Sequence, residues 1–187
     1  MKSPFDRPQF ERVAQPSTAQ IQTQPPTHTQ TQPNAARPAP GAKRILVVDD
    51  DAIVRASLAA VLECEGYEVY VAEDGHAAIQ SAVDHEPDLV LLDLNMPHMD
   101  GWTAFSKLEN ARPLLPVIVI TARPHQYQNA VKLGVDAFME KPLSFPVLLR
   151  AIQRLAHEPV LHHTKRITNP GFITRYLDNR SSNGFIK

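Results

Sequence analysis

The sequence predicts a single doubly wound α/β domain built on a five-stranded parallel sheet, and two observations carry that prediction. Short apolar runs rich in β-branched residues alternate five times with stretches of helical spacing within about 115 residues, the pattern of repeated strand–helix–strand units. Four of the five runs are almost continuously hydrophobic, as strands covered by helices on both faces must be.

The first run is Ile45-Leu-Val-Val. Asp51 can cap the helix after it, whose apolar stripe is Val54, Leu58, Val61 and Leu62 and whose stop is Gly66. The second run, Tyr67-Glu-Val-Tyr-Val, alternates, and Asp74 can cap the helix carrying Ala78, Ile79, Ala82 and Val83. Asp88-Leu-Val-Leu-Leu is the third strand, followed by a helix presenting Trp102, Phe105 and Leu108. Pro116-Val-Ile-Val-Ile is the fourth, and its helix presents Ala130, Val131 and Leu133 before Gly134. Val135-Asp-Ala-Phe-Met is the fifth, with Ser144 a candidate cap for a helix carrying Val147, Leu148, Ala151, Ile152 and Leu155.

The domain is expected over residues 42–157. Residues 1–41 hold 8 of the 17 prolines in a Gln/Thr/Pro tract with few aliphatic side chains beyond Val13 and Ile21. Such a segment buries too little apolar area to offset chain ordering, so a disordered N-terminal tail is expected. From 158 to 187 the periodicity fades and Asn169-Pro170-Gly171 breaks any long helix. A mostly irregular C-terminal tail is expected there.

The formal charge is -1, from 19 Lys+Arg and 20 Asp+Glu, which excludes a chain-wide polyanion binder. The average hides a split: net +2 over residues 1–41, -6 over 42–156 and +3 over 157–187. The single cysteine, Cys64, can form neither an internal disulfide nor a metal cluster. No stretch approaches the roughly 18 apolar residues of a membrane span, and Ser3 through Arg12 contains no apolar signal core. A cytoplasmic protein without membrane contact is expected.

In an open parallel sheet, reactive groups gather where the strands' carboxyl ends meet the loops at the reversal of strand order. The first strand ends in Asp49-Asp50-Asp51, the third in Asp93 followed by Asn95, the fourth in Thr121 and the fifth in Glu140-Lys141-Pro142. Asp51 reads as a helix cap, but three successive acids repel one another and exceed what capping needs. Clustered carboxylates suit a hard dication such as Mg²⁺, which often takes only one or two of them and keeps several waters. A carboxylate can also attack phosphorus to form an aspartyl phosphate. Lys141 and Thr121 would then neutralise and donate to phosphoryl oxygens.

The motifs Val47-Val-Asp49-Asp50-Asp51, Leu92-Asp93-Leu-Asn95-Met-Pro97-His-Met-Asp100-Gly101, Thr121-Ala122 and Lys141-Pro142 closely resemble the receiver domain of bacterial two-component response regulators, over about residues 42–156. The resemblance implies a flavodoxin-like sheet of order 2-1-3-4-5. It implies Asp93 as phosphoacceptor, taking a phosphoryl group from the phosphohistidine of a sensor histidine kinase or phosphotransfer protein. It implies Mg²⁺ held by Asp50 and Asp93 through carboxylates, by Asn95 through its backbone carbonyl and by Asp49 through water. Lys141 would pair with Asp93 and then with the phosphoryl group, and a cis bond would precede Pro142. Thr121 and Phe138 would form the switch, Phe138 standing where the family often has Tyr. Asn95 and Arg123 occupy the positions held to tune loss of phosphate.

The expected function is a stand-alone receiver that phosphorylates and dephosphorylates itself, is no enzyme in the ordinary sense, and signals to a downstream protein by contact. Two alternatives remain open at this point. One is a haloacid-dehalogenase-like phosphatase with Asp49 as nucleophile and Asp51, Thr121 and Lys141 beside it. It is disfavoured by Ile53, where Thr or Val is expected, and by the lack of an acidic pair after Lys141. The other is a transcriptional regulator whose C-terminal tail, with His162-His163-Thr-Lys165-Arg166, binds DNA; only the +3 charge supports it, and DNA is not the expected partner.

Overall fold

The computed structural model describes residues 41–97 and 99–178. The N-terminal tail expected over 1–41, apart from Gly41, lies outside the described residues, as do His98 and positions 179–187. Six parallel strands form one sheet: β1 (Arg44–Val48), β2 (Glu68–Ala72), β3 (Leu89–Asp93), β4 (Val117–Thr121), β5 (Ala137–Glu140) and β6 (Arg175–Tyr176), in the order β2-β1-β3-β4-β5-β6. The order 2-1-3-4-5 is therefore present, extended by one short strand beyond the five expected.

The helices are α1 (Ala52–Cys64), α2 (Gly75–Asp84), α3 (Gly101–Ala111), α4 (Tyr127–Leu133), α5 (Phe145–Ala156) and α6 (Val160–Ile167). Side-chain alternation along each strand feeds two cores. Leu46, Val48, Leu92, Val119 and Phe138 pack with Ala78 of α2, Phe105 and Leu108 of α3 and Ala130 of α4. On the opposite face Ile45, Val47, Leu91, Ile120 and Met139 pack with Leu58 and Leu62 of α1 and Leu148 and Ile152 of α5. Each such fully buried aliphatic or aromatic side chain contributes about 1.5–3 kcal/mol relative to exposure. Both faces of β3 and β4 are covered completely, which is why those runs read as unbroken hydrophobicity.

The caps follow local chemistry. Asp51 accepts from the amides of Ile53 and Val54, and Asp74 from that of Ala77. Ser144 holds the N-cap position of α5 but its side chain makes no capping bond, unlike the expectation. Gly134 closes α4 at φ 74°, a left-handed conformation that costs a residue with a Cβ.

Part of the described C-terminal segment is regular. Helix α6 ends at Ile167, just ahead of Asn169-Pro170-Gly171, and the chain returns to lay β6 against β5. Arg166 holds the segment down through Glu158 at 2.8 Å and Asp136 at 2.7 Å, while Asp136 also takes the Val117 amide at 2.9 Å. Among the described residues no helix is long and apolar enough to cross a membrane.

Candidate functional site

Strand order reverses between β1 and β3, and register brings their ends level: Val48 pairs Leu92, Asp93 pairs Ile120 and Thr121 pairs Glu140. The residues just past these pairs therefore converge at one rim. Asp49 and Asp93 are buried, 2% and 3% exposed, while Asp50 is exposed.

One amine joins the two buried acids. Lys141 Nζ donates to Asp93 Oδ2 at 2.6 Å and to Asp49 Oδ2 at 2.9 Å. The other oxygens are held by local amides: Asp51 N–H donates to Asp49 Oδ1 at 3.0 Å, and Asn95 N–H to Asp93 Oδ1 at 2.9 Å. The backbone of Lys141 is fixed by its N–H to the Thr121 carbonyl at 2.8 Å, and its bond to Pro142 is cis. The Arg55 guanidinium donates to the Asp49 carbonyl.

Burial pushes the Asp49 carboxyl above its usual range, against the lowering effect of Lys141. Burial also works to lower Lys141, but hydrogen bonds to Asp93 and Asp49 outweigh it and hold the ammonium above its usual range. The two directions differ because Lys141 gains two carboxylate partners for the hydration it loses, whereas for Asp49 burial outweighs what Lys141 and the Asp51 amide return.

Carboxylate oxygens of Asp49, Asp50 and Asp93 lie within 4.8 Å of one another. Three hard oxygen donors around one point, with one cation between two of them, fit a divalent ion that prefers oxygen. Asp51 stands apart, its carboxylate committed to the start of α1. The phosphatase alternative needs that carboxylate in the pocket and does not have it.

Thr121 is fully buried, and its hydroxyl oxygen accepts the Arg123 amide at 3.0 Å. Arg123, which the resemblance pairs with Asn95 as a position held to tune loss of phosphate, bridges the mouth: Nε to Asn95 Oδ1 at 3.2 Å, and guanidinium to Asp100 Oδ1 at 3.0 Å. Asp100 also caps α3 through the Trp102 amide. Gly101 lets α3 approach this loop, since a Cβ there would meet the Leu94 backbone and lie 2.9 Å from the Asp93 carbonyl oxygen. Phe138, fully buried, lies on the α4 side of β5 between Tyr127 and Tyr176.

Within the basic C-terminal stretch His163 and Arg166 turn inward, while His162 and Lys165 are exposed. His163 is 4% exposed beside Glu158 and Asp136, and Arg166 is tied to the same two acids. Of the charge that suggested the DNA-binding alternative, Arg166 is neutralised while Lys165 stays exposed.

A doubly wound α/β protein with a lysine-bridged acidic pocket at its switch point is the class that fold and site define. The chain belongs to the response regulator receiver domain family, whose profile matches residues 45–153. It is 38% identical over 114 residues to the transcriptional regulatory protein PdtaR of Mycobacterium tuberculosis, covering 59% of this chain and 55% of that protein. The chain thus spans about half the length of the curated relatives it matches. A CheY-like receiver domain protein from Methanospirillum hungatei superposes with a TM-score of 0.59 at 30% identity, covering 66% of this chain and 98% of that one. The response regulator TrrA of Thermotoga maritima, solved in complex with Mg(2+)-BeF, gives a TM-score of 0.57 at 32% identity over 60% of this chain and 98% of its own.

Proposed function

We propose that Asp93 accepts a phosphoryl group from the phosphohistidine of a sensor histidine kinase or phosphotransfer protein, and that the acyl phosphate switches contacts with a downstream protein. The observation that carries this reading is the Asp93 carboxylate, 3% exposed, on Lys141 at 2.6 Å with Asp49 and Asp50 oxygens within 4.8 Å. A carboxylate oxygen of Asp93 attacks phosphorus, the N–P bond of the donor breaks, and its electron pair leaves with the imidazole. Water reverses the modification by displacing the Asp93 carboxylate, so the domain turns over its own acyl phosphate rather than a separate substrate.

Mg²⁺ would be held by the carboxylates of Asp50 and Asp93, the backbone carbonyl of Asn95 and, through water, Asp49; when bound it neutralises phosphoryl oxygens as charge develops. Lys141 stabilises a phosphoryl oxygen electrostatically, and the Thr121 hydroxyl hydrogen is a donor for another. Thr121 moving toward the phosphate opens room for Phe138. The register supports that coupling, because Thr121 lies opposite Glu140 and Phe138 two residues back on the same face. A phosphohistidine donor charged by ATP works in the cytoplasm, the compartment proposed. Neither DNA nor a membrane is a proposed partner.

Acetyl phosphate with Mg²⁺, followed by intact mass, tests the reading. Wild type should gain one phosphoryl group and Asp93→Asn none. An equal gain in both would remove Asp93 from the role.

A further inference from the structure

We propose that residues 174–177 are a ligand of the chain's own switch face: a strap on the outer edge of β5 that phosphorylation of Asp93 loosens. This rests on Asp93 being the phosphoacceptor.

The strap binds as an added strand. Its Arg175 amide donates to the Asp136 carbonyl at 3.2 Å and its Leu177 amide to the Phe138 carbonyl at 2.8 Å. These two bonds straddle Phe138 and satisfy an edge that would otherwise present unpaired backbone groups. Alternation then sends one side chain into each core. Leu177, 2% exposed, joins the α5 side, while the Tyr176 ring packs 5.9 Å from that of Phe138 and 5.3 Å from that of Tyr127. Three further bonds hold the seat. Thr174 Oγ1 donates to the Ala130 carbonyl at 3.0 Å, Tyr127 OH to the Thr174 carbonyl at 2.8 Å, and Tyr176 OH to Glu140 Oε2 at 3.1 Å.

The elements that seat the strap are those that move in the proposed switch. Phe138 is the shared part: its ring contacts Tyr127 at 5.8 Å and Tyr176 at 5.9 Å, and its carbonyl takes a strap amide. When Phe138 turns toward the space left by Thr121, Tyr176 loses the ring it packs against. A two-residue strand at the edge of the sheet belongs to the less stable part of a fold, where local opening is easier than in the core strands. Departure of the strap uncovers the β5 edge and Tyr127, which become the surface offered to the downstream protein. The coupling must be reciprocal: whatever phosphorylation does to the strap, loss of the strap does to the phosphorylated pocket.

Hydrogen exchange of the Arg175 and Leu177 amides in the full chain, with and without acetyl phosphate and Mg²⁺, tests the strap while intact mass follows Asp93 on the same samples. Expected is exchange about fivefold faster or more in the phosphorylated protein, with no change in Asp93→Asn. A mass gain without faster exchange overturns the strap and leaves the phosphoacceptor reading standing; absence of a mass gain overturns both. Reciprocally, Tyr176→Ala should bind beryllofluoride with Mg²⁺ about fivefold more tightly than wild type. Tyr176→Phe, which keeps the ring and loses the bond to Glu140, should fall between wild type and Tyr176→Ala. Equal affinity in wild type and Tyr176→Ala also overturns the strap.

Discussion

Lys141 is the side chain on which the acidic rim depends, because among the described residues it pairs with both Asp93 and Asp49. Removing one partner of a buried ion pair leaves an uncompensated charge, at a cost of about 3–5 kcal/mol. Lys141→Ala should therefore lower the midpoint of urea unfolding in chelator, and Mg²⁺ should restore part of the loss by binding the folded state. A midpoint equal to wild type in chelator would mean the carboxylates do not need the ammonium. Gly101 makes a second demand at this scale, a purely steric one. Its missing Cβ is what allows α3 to lie against Leu94 and the Asp93 carbonyl, and backbone cannot yield as a flexible side chain can. Gly101→Ala should cost about 1–3 kcal/mol, read as a fall in thermal midpoint; an unchanged midpoint would show that the loop relaxes freely. Asp49, Asp50, Asp93, Thr121 and Lys141 were legible in the sequence because each closes a strand and strand ends share a rim. The Arg123 bridge to Asn95 and Asp100 was not, since pairing between two loops leaves no period in the chain.

At the scale of elements, β1, β3, β4 and β5 were legible because strands buried on both faces leave unbroken hydrophobic runs, β2 because its run alternates, and Asp51 and Asp74 because a cap is a local bond. Ser144 shows the limit of that reasoning: a residue type suited to capping reached the right position without making the bond. Strand β6 was invisible for a plainer reason, since two residues carry no alternation to detect and its stability comes from β5 and α4. The assignment of Asp51 to α1 rather than to the pocket separates structure from chemistry. Asp51→Ala should cost about 1 kcal/mol through the lost cap while the acetyl phosphate reaction still adds one phosphoryl group. Loss of phosphorylation as complete as in Asp93→Asn, in a variant still folded by circular dichroism, would return Asp51 to the site.

Across the whole molecule the charge split of the sequence takes on a structural meaning. The basic C-terminal end meets the acidic body where Arg166 reaches Asp136, and Glu158 of the same end shares that guanidinium. The sequence showed both charges but not their pairing, which is why the basic segment could equally suggest a polyanion. Burial works to raise the Glu158 carboxyl, but the hydrogen bonds and charge of Arg166 and the contact with His163 outweigh it, and its pKa is held below the usual carboxylate range. An acid whose folded-state pKa lies below its unfolded one stabilises the fold above the unfolded value and loses that contribution as pH falls through the folded one. The docking of α6 and β6 should accordingly be firm at neutral pH and weaken in acid, below the ordinary carboxylate range, ahead of the cores, which hold no such pair. Hydrogen bonds to charged groups contribute about 1.5–3 kcal/mol, enough to govern a segment seated by so few other bonds. Hydrogen exchange of the Leu177 amide, measured against that of a core amide such as Val119 and corrected for the intrinsic pH dependence of exchange, should lose protection on acidification in wild type. In Glu158→Gln protection should already be low at neutral pH and change little with acid. Equal protection of Leu177 in the two proteins at neutral pH would show that the Arg166–Glu158 pair does not hold the segment, and that the aromatic contacts of Tyr176 suffice.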